Sequence, residues 1–229
     1  MFSVIIPTMW RSVRTKDMLV RLEETDIVSE IIVIDNDVGR TPDLSFSTKI
    51  KYIPQEENIY VNPAWNLGAK LAKEDFLCLL NDDISFDVQR VFSSVNPILG
   101  ELKCIGVDHF SYGYSGEGIG VTRLPYEIKW GEGWGCAIFL TKEDWVIIPD
   151  ELKIWFGDNW IVSHYPSGYQ LAFDTNTDMS STASSEELNF RIKADILEAK
   201  RINALDPAIT PLSERWGQSA YRYEEVSRL

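Results

Sequence analysis

Two acidic turns in this 229-residue chain stand where chemistry could be done. Asn81-Asp82-Asp83 follows directly on Phe76-Leu77-Cys78-Leu79-Leu80, so polarity abuts the end of an apolar run. Asp35-Asn36-Asp37 follows in the same way on Ile31-Ile32-Val33-Ile34. Short, wholly apolar runs read as strands buried on both faces. In an open α/β sheet, ligands sit beyond the carboxyl ends of such strands. Acids placed there can hold a divalent cation against a phosphate-bearing substrate. The second cluster, continued by Val38-Gly39, is also ordinary turn composition.

The elements that must position these turns follow in order. Residues 2–8 form a first strand ended by Pro7-Thr8, Pro being unsuited to a central ladder. Residues 14–24 carry Met18, Leu19 and Leu22 at helical spacing, and residues 30–34 form the next strand. Strand, helix and strand make one βαβ unit with a right-handed crossover. Residues 51–54 give a third strand. Asn62-Pro63 then reads as an N-cap and first helical position, ahead of Ala64, Leu67, Gly68 and Leu71 on one face. Asp87 caps a further helix with Val88, Val91, Phe92 and Val95 on its buried side.

The second half of the chain is read less sharply. Residues 103–107 are a strand, and Gly113, Gly116, Gly118 and Gly120 mark a loop or hairpin. Cys136-Ala137-Ile138-Phe139-Leu140 is a strand with a helix expected to open at Thr141. Another helix begins near Asp158, a residue type that suits an N-cap. The stretch 174–185 is expected to form a flap. Ser184-Ser185-Glu186-Glu187 opens a last helix with a capping-box pattern, buried along Leu188, Ile192, Ile196, Ala199 and Ile202 and ended by Asp206-Pro207.

Composition narrows the function. An apolar fraction of 45% suits a globular domain with a sizeable core. No apolar run approaches the roughly 20 residues of a membrane helix, and Met1-Phe2-Ser3 leads into a strand with no leader pattern. Three cysteines, Cys78, Cys104 and Cys136, all in apolar runs, read as reduced core residues. The expectation is a cytoplasmic protein, bacterial or virus-encoded. A net charge of −13 repels polyanions and acidic membranes. A bound cation would be the simplest local remedy for an anionic nucleotide substrate. No G-x-G-x-x-G follows the first strand and no G-x-x-x-x-G-K-[ST] is present, which argues against a dehydrogenase-type dinucleotide site and a P-loop.

The order of these motifs resembles the GT-A glycosyltransferases, most closely the family 2-like ones. In that family a helix bearing Asn-x-Gly, a hydrophobic strand and an Asp-x-Asp-type metal motif follow one another. Asn66-Leu67-Gly68 and Asn81-Asp82-Asp83 occupy those places. The departures are Asn81 for the first acid, Tyr60 where a Gly is common, and Trp65 where an Arg is common. The resemblance implies a single α/β domain of GT-A type, with a Rossmann-like, mostly parallel central sheet, over residues 1–205. Residues 206–229 would be a C-terminal tail packing on or near it.

It also implies roles. Pro7, Thr8, Asp35, Asn36, Asn66 and Asp82 would bind the donor nucleotide. Asp83 and Asp178 would hold Mn²⁺ or Mg²⁺. Trp130, Trp134 and Gly135 would meet the sugar or acceptor, although tryptophans beside glycines are equally a packing motif. Asp158 matches the Asp of a Glu-Asp pair that deprotonates the acceptor, with Gly157 in place of the Glu. The activity implied is metal-dependent, inverting transfer of a sugar from a nucleotide-sugar donor, expected to be a UDP-sugar, to a hydroxyl acceptor. A glycan, a small molecule or a modified nucleic-acid base all remain open as acceptor.

Two alternatives stand beside it. A sugar-phosphate nucleotidyltransferase shares the strand order and the acidic site, with Arg11, Arg14 and Lys16 as its basic residues. A non-catalytic nucleotide-sugar- or carbohydrate-binding domain is favoured by Asn81 and Gly157, each replacing an acid.

Overall fold

The first strand fixes the layering. All residues of β1 (Phe2–Thr8) are buried, as expected of a parallel strand covered on both faces. Side chains alternate, so Phe2, Val4 and Ile6 enter one hydrophobic cluster and Ile5 enters the other. A computed structural model of the protein describes residues 1–107, 120–123, 136–165, 168–177 and 186–202.

Helix α1 (Arg14–Glu23) follows β1 and buries Thr15, Met18, Leu19 and Leu22. It returns the chain to β2 (Val28–Asp35), and β3 (Ile50–Pro54) comes next. Helix α2 (Val61–Leu71) crosses back and leads into β4 (Phe76–Leu80). The short β5 (Ile84–Phe86), α3 (Val88–Leu102) and β6 (Cys104–Val107) follow. The remaining described elements are β7 (Gly120–Arg123), β8 (Ala137–Thr141), α4 (Gly157–Ser163), β9 (Tyr169–Ala172), β10 (Thr175–Thr177) and α5 (Glu186–Arg201).

Eight strands make one sheet in the order β3-β2-β1-β4-β8-β6-β9-β7. The run β3-β2-β1-β4 is wholly parallel, and β6 pairs β9 in parallel. The other neighbours, β4–β8, β6–β8 and β7–β9, are antiparallel. The expected GT-A-type sheet is therefore present, parallel through its first half and mixed in its second. Strand order reverses between β1 and β4, which makes the crevice at their carboxyl ends the topological switch point.

Helices α1 and α3 pack on one face. Met18, Leu19 and Leu22 join Val91, Phe92 and Val95 against Phe2, Val4 and Ile6. There Phe2, Phe92 and Phe139 meet edge to face at 5.0–6.0 Å, tying β1, α3 and β8 together. Helices α2, α4 and α5 cover the other face through Ala64, Trp65, Ile161, Val162 and Ala199. A Cβ on Gly68 would lie 2.2 Å from Cγ2 of Ile5, so α2 rides directly on β1 at that residue. Trp65 belongs to this core.

Several local expectations are corrected. Asn62 is not the N-cap of α2. The cap is Tyr60, and Asn62 sits inside the first turn, buried. Leu67 and Leu71 only fringe the core, while Trp65 and Ala69 are buried. Thr141 opens a single 3₁₀ turn at Lys142–Asp144 rather than an α-helix. The N-cap of α4 is Phe156, so Asp158 lies in the first turn. The start of the expected flap is strand β10, paired antiparallel with β5. Asp87 does cap α3, accepting from the Arg90 N–H at 3.0 Å. None of the three cysteines is in a disulfide. Among the described residues no helix is long and apolar enough to cross a membrane.

Candidate active site

The crevice at the switch point is closed by hydrogen bonds between the ends of β1 and β4. Pro7 pairs with Ile34 of β2, while pairing of β1 with β4 stops at Ile5–Leu79. The Thr8 carbonyl accepts from the Asn36 N–H at 2.8 Å, so the missing donor of Pro7 faces the side where the ladder has ended. The Thr8 hydroxyl donates to Asp82 Oδ2 at 2.6 Å and accepts from the Trp10 N–H at 2.9 Å. Thr15, from α1, donates to the Asp82 carbonyl at 2.9 Å. Trp10 turns the chain in left-handed conformation (φ 56°).

Asp82 is only 8% exposed. Burial raises its carboxyl to about 6; the Thr8 hydrogen bond opposes that rise and the neighbouring Asp83 charge reinforces it. Asp83 is half-buried. Two adjacent carboxylates, one shifted upward because its charge is poorly solvated, are a donor set that a divalent cation would stabilise. Among the described residues no third His, Cys, Asp or Glu completes a cluster. Thr177 of β10 pairs with Ile84, the residue after Asp83. Asp178 is next in sequence and lies outside the described residues, as do Trp130, Trp134 and Gly135.

The turn after β2 forms the neighbouring wall. Asp35 is fully buried, its carboxylate accepting from the Asp37 N–H (2.8 Å), the Tyr52 hydroxyl (2.9 Å) and the Thr41 hydroxyl. Asn36 Oδ1 accepts from the Ile59 N–H at 3.1 Å, ahead of α2. Thr8, Asp35, Asn36 and Asp82 are thus one connected unit. Asn66 belongs elsewhere. Its amide donates to the Ile148 carbonyl (2.8 Å) and accepts from the Ile148 N–H (3.0 Å), clamping the segment after β8 onto α2.

Asp158 is carried by the segment 153–157, which two elements hold from opposite ends of its peptide groups. Asn62 takes the carbonyls: its N–H donates to Lys153 (3.0 Å) and its side-chain amide to Trp155 (3.3 Å). Asp195 of α5 takes the N–H groups of Ile154 (2.8 Å) and Trp155 (3.0 Å), with Lys153 at 3.4 Å. A Cβ on Gly157 would lie 2.0 Å from Asn62 Oδ1, an oxygen with no hydrogen-bond partner among the described residues. Asp158 itself is half-buried, its Oδ1 accepting from the Asn159 N–H at 3.0 Å.

Sequence context did not point to Thr15 or Asp195, and it marked Asn62 only as a helix cap. Asp195 carried the clearest signal. It falls three residues after Ile192 and four before Ala199, a carboxylate on the apolar stripe of a helix. Such a charge must find donors inside the fold.

Comparison with known proteins bears on the fold and the family. Among proteins of curated function none matches the chain by sequence. Solved structures do match. TarS of S. aureus (residues 1–349) superposes with a TM-score of 0.59 at 16% identity, covering 93% of this chain and 68% of that one. Its complex with UDP-GlcNAc gives 0.57 at 14% identity, covering 93% and 69%. The mannosyltransferase PcManGT from Pyrobaculum calidifontis, in complex with GDP-Man and Mn²⁺, gives 0.57 at 12%, covering 87% and 64%. A longer TarS chain is spanned over 41% of its length. These likenesses establish the fold. The model of glycosyl transferase family 2 matches residues 3–132, more than half of the chain and all of the β1–β4 crevice. The protein is a family 2 glycosyltransferase.

Proposed function

We propose that this domain transfers a sugar from a nucleotide-diphosphate donor to a hydroxyl acceptor with inversion at the anomeric carbon. The observation that carries the reading is the buried Asp82, tied to Thr8 across the switch point beside the half-exposed Asp83. The donor nucleotide lies over Pro7-Thr8 and the Asp35-Asn36 turn. Asp35 acts from within, fixing Thr41 and Tyr52, and Asn66 positions the Ile148 segment rather than the nucleotide. A UDP-sugar is the favoured donor, supported by the UDP and UDP-GlcNAc complexes of TarS.

Asp83, aided by Asp82 and by Asp178, would hold Mn²⁺ or Mg²⁺, and PcManGT was solved with Mn²⁺. A cation so placed neutralises charge on the departing diphosphate. Asp158 accepts the proton of the acceptor hydroxyl as that oxygen bonds the anomeric carbon and the carbon–diphosphate bond breaks. A base on the face opposite the leaving group gives inversion. Trp130, Trp134 and Gly135 complete the sugar and acceptor side.

The non-catalytic alternative rests on Asn81 and Gly157. Gly157 loses weight as a degenerate acid, because Asn62 occupies the space its side chain would need.

The test is a melting-temperature panel of nucleotide sugars with and without Mn²⁺, on wild type, Asp83→Ala and Asp158→Asn. A ligand well above its Kd adds a few kcal/mol of stability. One UDP-sugar should stabilise wild type only with metal, Asp83→Ala should lose that shift, and Asp158→Asn should keep it while nucleotide release falls by orders of magnitude. Stabilisation by a nucleoside triphosphate alone would move the nucleotidyltransferase reading ahead. Donor binding without nucleotide release would favour the binding domain.

A further inference from the structure

We infer that Asp195, on α5, is the positioning residue for Asp158, so that the last described helix is a working part of the active site and not only a cover for the sheet. The inference rests on Asp158 being the base. Asp195 is fully buried and faces no water. Its carboxylate receives three consecutive N–H groups, those of Lys153, Ile154 and Trp155. Successive peptide N–H groups converging on one anion form a nest, which fixes the backbone that makes it.

The counter-charge comes from the same helix. Arg191 Nε lies 3.5 Å from Asp195 Oδ1, one turn away. Its guanidinium sits over the Tyr60 ring, 5.3 Å from the centroid. Tyr60 begins α2, and two residues later Asn62 grips the carbonyls of Lys153 and Trp155. The segment is therefore held on its N–H side by α5 and on its carbonyl side by α2, and the two grips are joined through Arg191 and Tyr60. Phe156, next along, is in left-handed conformation (φ 66°), and α4 starts behind it. A backbone fixed at 153–155 and turned sharply at 156 leaves Asp158 little freedom relative to the sheet. General-base catalysis depends on such placement, because a misplacement of about 1 Å can cost roughly a hundredfold.

The experiment uses the full chain and four variants: Asp195→Asn, Arg191→Gln, Asp158→Asn and the Asp195→Asn/Asp158→Asn pair. Peptide-resolved amide exchange is the first readout. In Asp195→Asn the Ile154 and Trp155 amides should exchange about tenfold faster or more, while peptides from β1 and β4 stay at wild-type rates. The second readout is nucleotide release from UDP-GlcNAc with Mn²⁺. Asp195→Asn should lower kcat about 10- to 100-fold with donor KM within about twofold, and it should add nothing to Asp158→Asn. Arg191→Gln, whose side chain is partly exposed, should shift both readouts in the same direction by a smaller factor and covers the case of an Asp195 variant that does not fold.

Wild-type exchange at 154–155 in Asp195→Asn, or faster exchange spread evenly over the domain, overturns the inference. So does additivity of the two substitutions. An Asp158→Asn variant as active as wild type would instead remove the base assignment, which separates that failure from this one.

Discussion

The Thr8 hydroxyl donates to Asp82 Oδ2 at 2.6 Å, joining the carboxyl ends of β1 and β4 across the switch point. The two residues are 74 apart in sequence and both are buried. Removing the hydroxyl by Thr8→Val leaves a buried carboxylate oxygen without its donor, at a cost of about 1–3 kcal/mol. Thr8→Ser keeps the donor and should cost much less. Urea unfolding of the two variants decides the matter, and equal stabilities would mean that Asp82 finds its partner elsewhere.

How much of this was legible follows from what each residue depends on. Strands β1, β2 and β4 were legible because burial on both faces demands unbroken apolar runs. Helix α3 was legible because Asp87 caps it locally, three residues from its donor. The Asn62-Pro63 pair carried the same kind of local signal and misled. Asn62 bonds to Lys153 and Trp155, some ninety residues away, and those partners draw it inside the helix. Asn66 depends on distant chain in the same way: its amide bonds to the Ile148 backbone, 82 residues away, a contact that no local pattern announces. Asp195 lies on the apolar stripe of its helix, which signals burial, but the N–H groups it receives belong to residues 153–155, some forty residues away, and no local pattern shows them. Strands β9 and β10 are only four and three residues long and β10 is wholly polar, so periodicity had too little length to announce either.

Tyr60 occupies a backbone conformation that belongs to glycine, with φ 70° and ψ −178°. A residue held there costs about 1–3 kcal/mol of strain. The Asn58 side chain, accepting from the Tyr60 N–H at 2.8 Å, and the Arg191 guanidinium over the ring hold it in place. Replacing the ring tests this cleanly when two variants are compared. Tyr60→Ala and Tyr60→Gly both lose the ring, but only glycine relieves the backbone. Tyr60→Gly should therefore be the more stable by about 1–3 kcal/mol. Equal melting points would show that the turn relaxes around alanine.

Glu23, at the end of α1, binds the start of the segment leading to β3. Its carboxylate accepts from the Thr48 N–H and hydroxyl, each at 3.1 Å, from the Lys49 N–H at 3.2 Å and from the Ser47 hydroxyl. Partial burial is the largest influence and pushes its pKa up, but the four donors together outweigh it and leave the group below the ordinary value of 4.5. The fold therefore prefers the ionised form. The stability it contributes is present above the unfolded pKa and is lost as pH falls through the folded one. Glu23→Gln should melt below wild type at neutral pH, and the gap should close as pH falls below the ordinary value of 4.5 and through the lowered folded one. A gap that stays constant with pH would assign the contribution to packing instead.

Gly157 stands where the resemblance would place the first acid of a Glu-Asp pair, so Gly157→Glu is the substitution that a lost-acid reading would make to restore activity. The structure argues the opposite. The glycine is buried, and any Cβ meets Asn62 Oδ1 at 2.0 Å and Cγ at 2.6 Å. Asn62 cannot give way without releasing the Trp155 carbonyl. Even Gly157→Ala should cost about 1–3 kcal/mol through overpacking, and Gly157→Glu at least as much. Because the strain falls on the residue before Asp158, nucleotide release should drop in both variants by more than the loss of folded protein explains. Pairing Gly157→Ala with Asn62→Ala opens the space, so the double variant should lose less stability than the sum of the two single changes. A Gly157→Glu protein that is stable and more active than wild type would show that the site had lost an acid it can still accommodate.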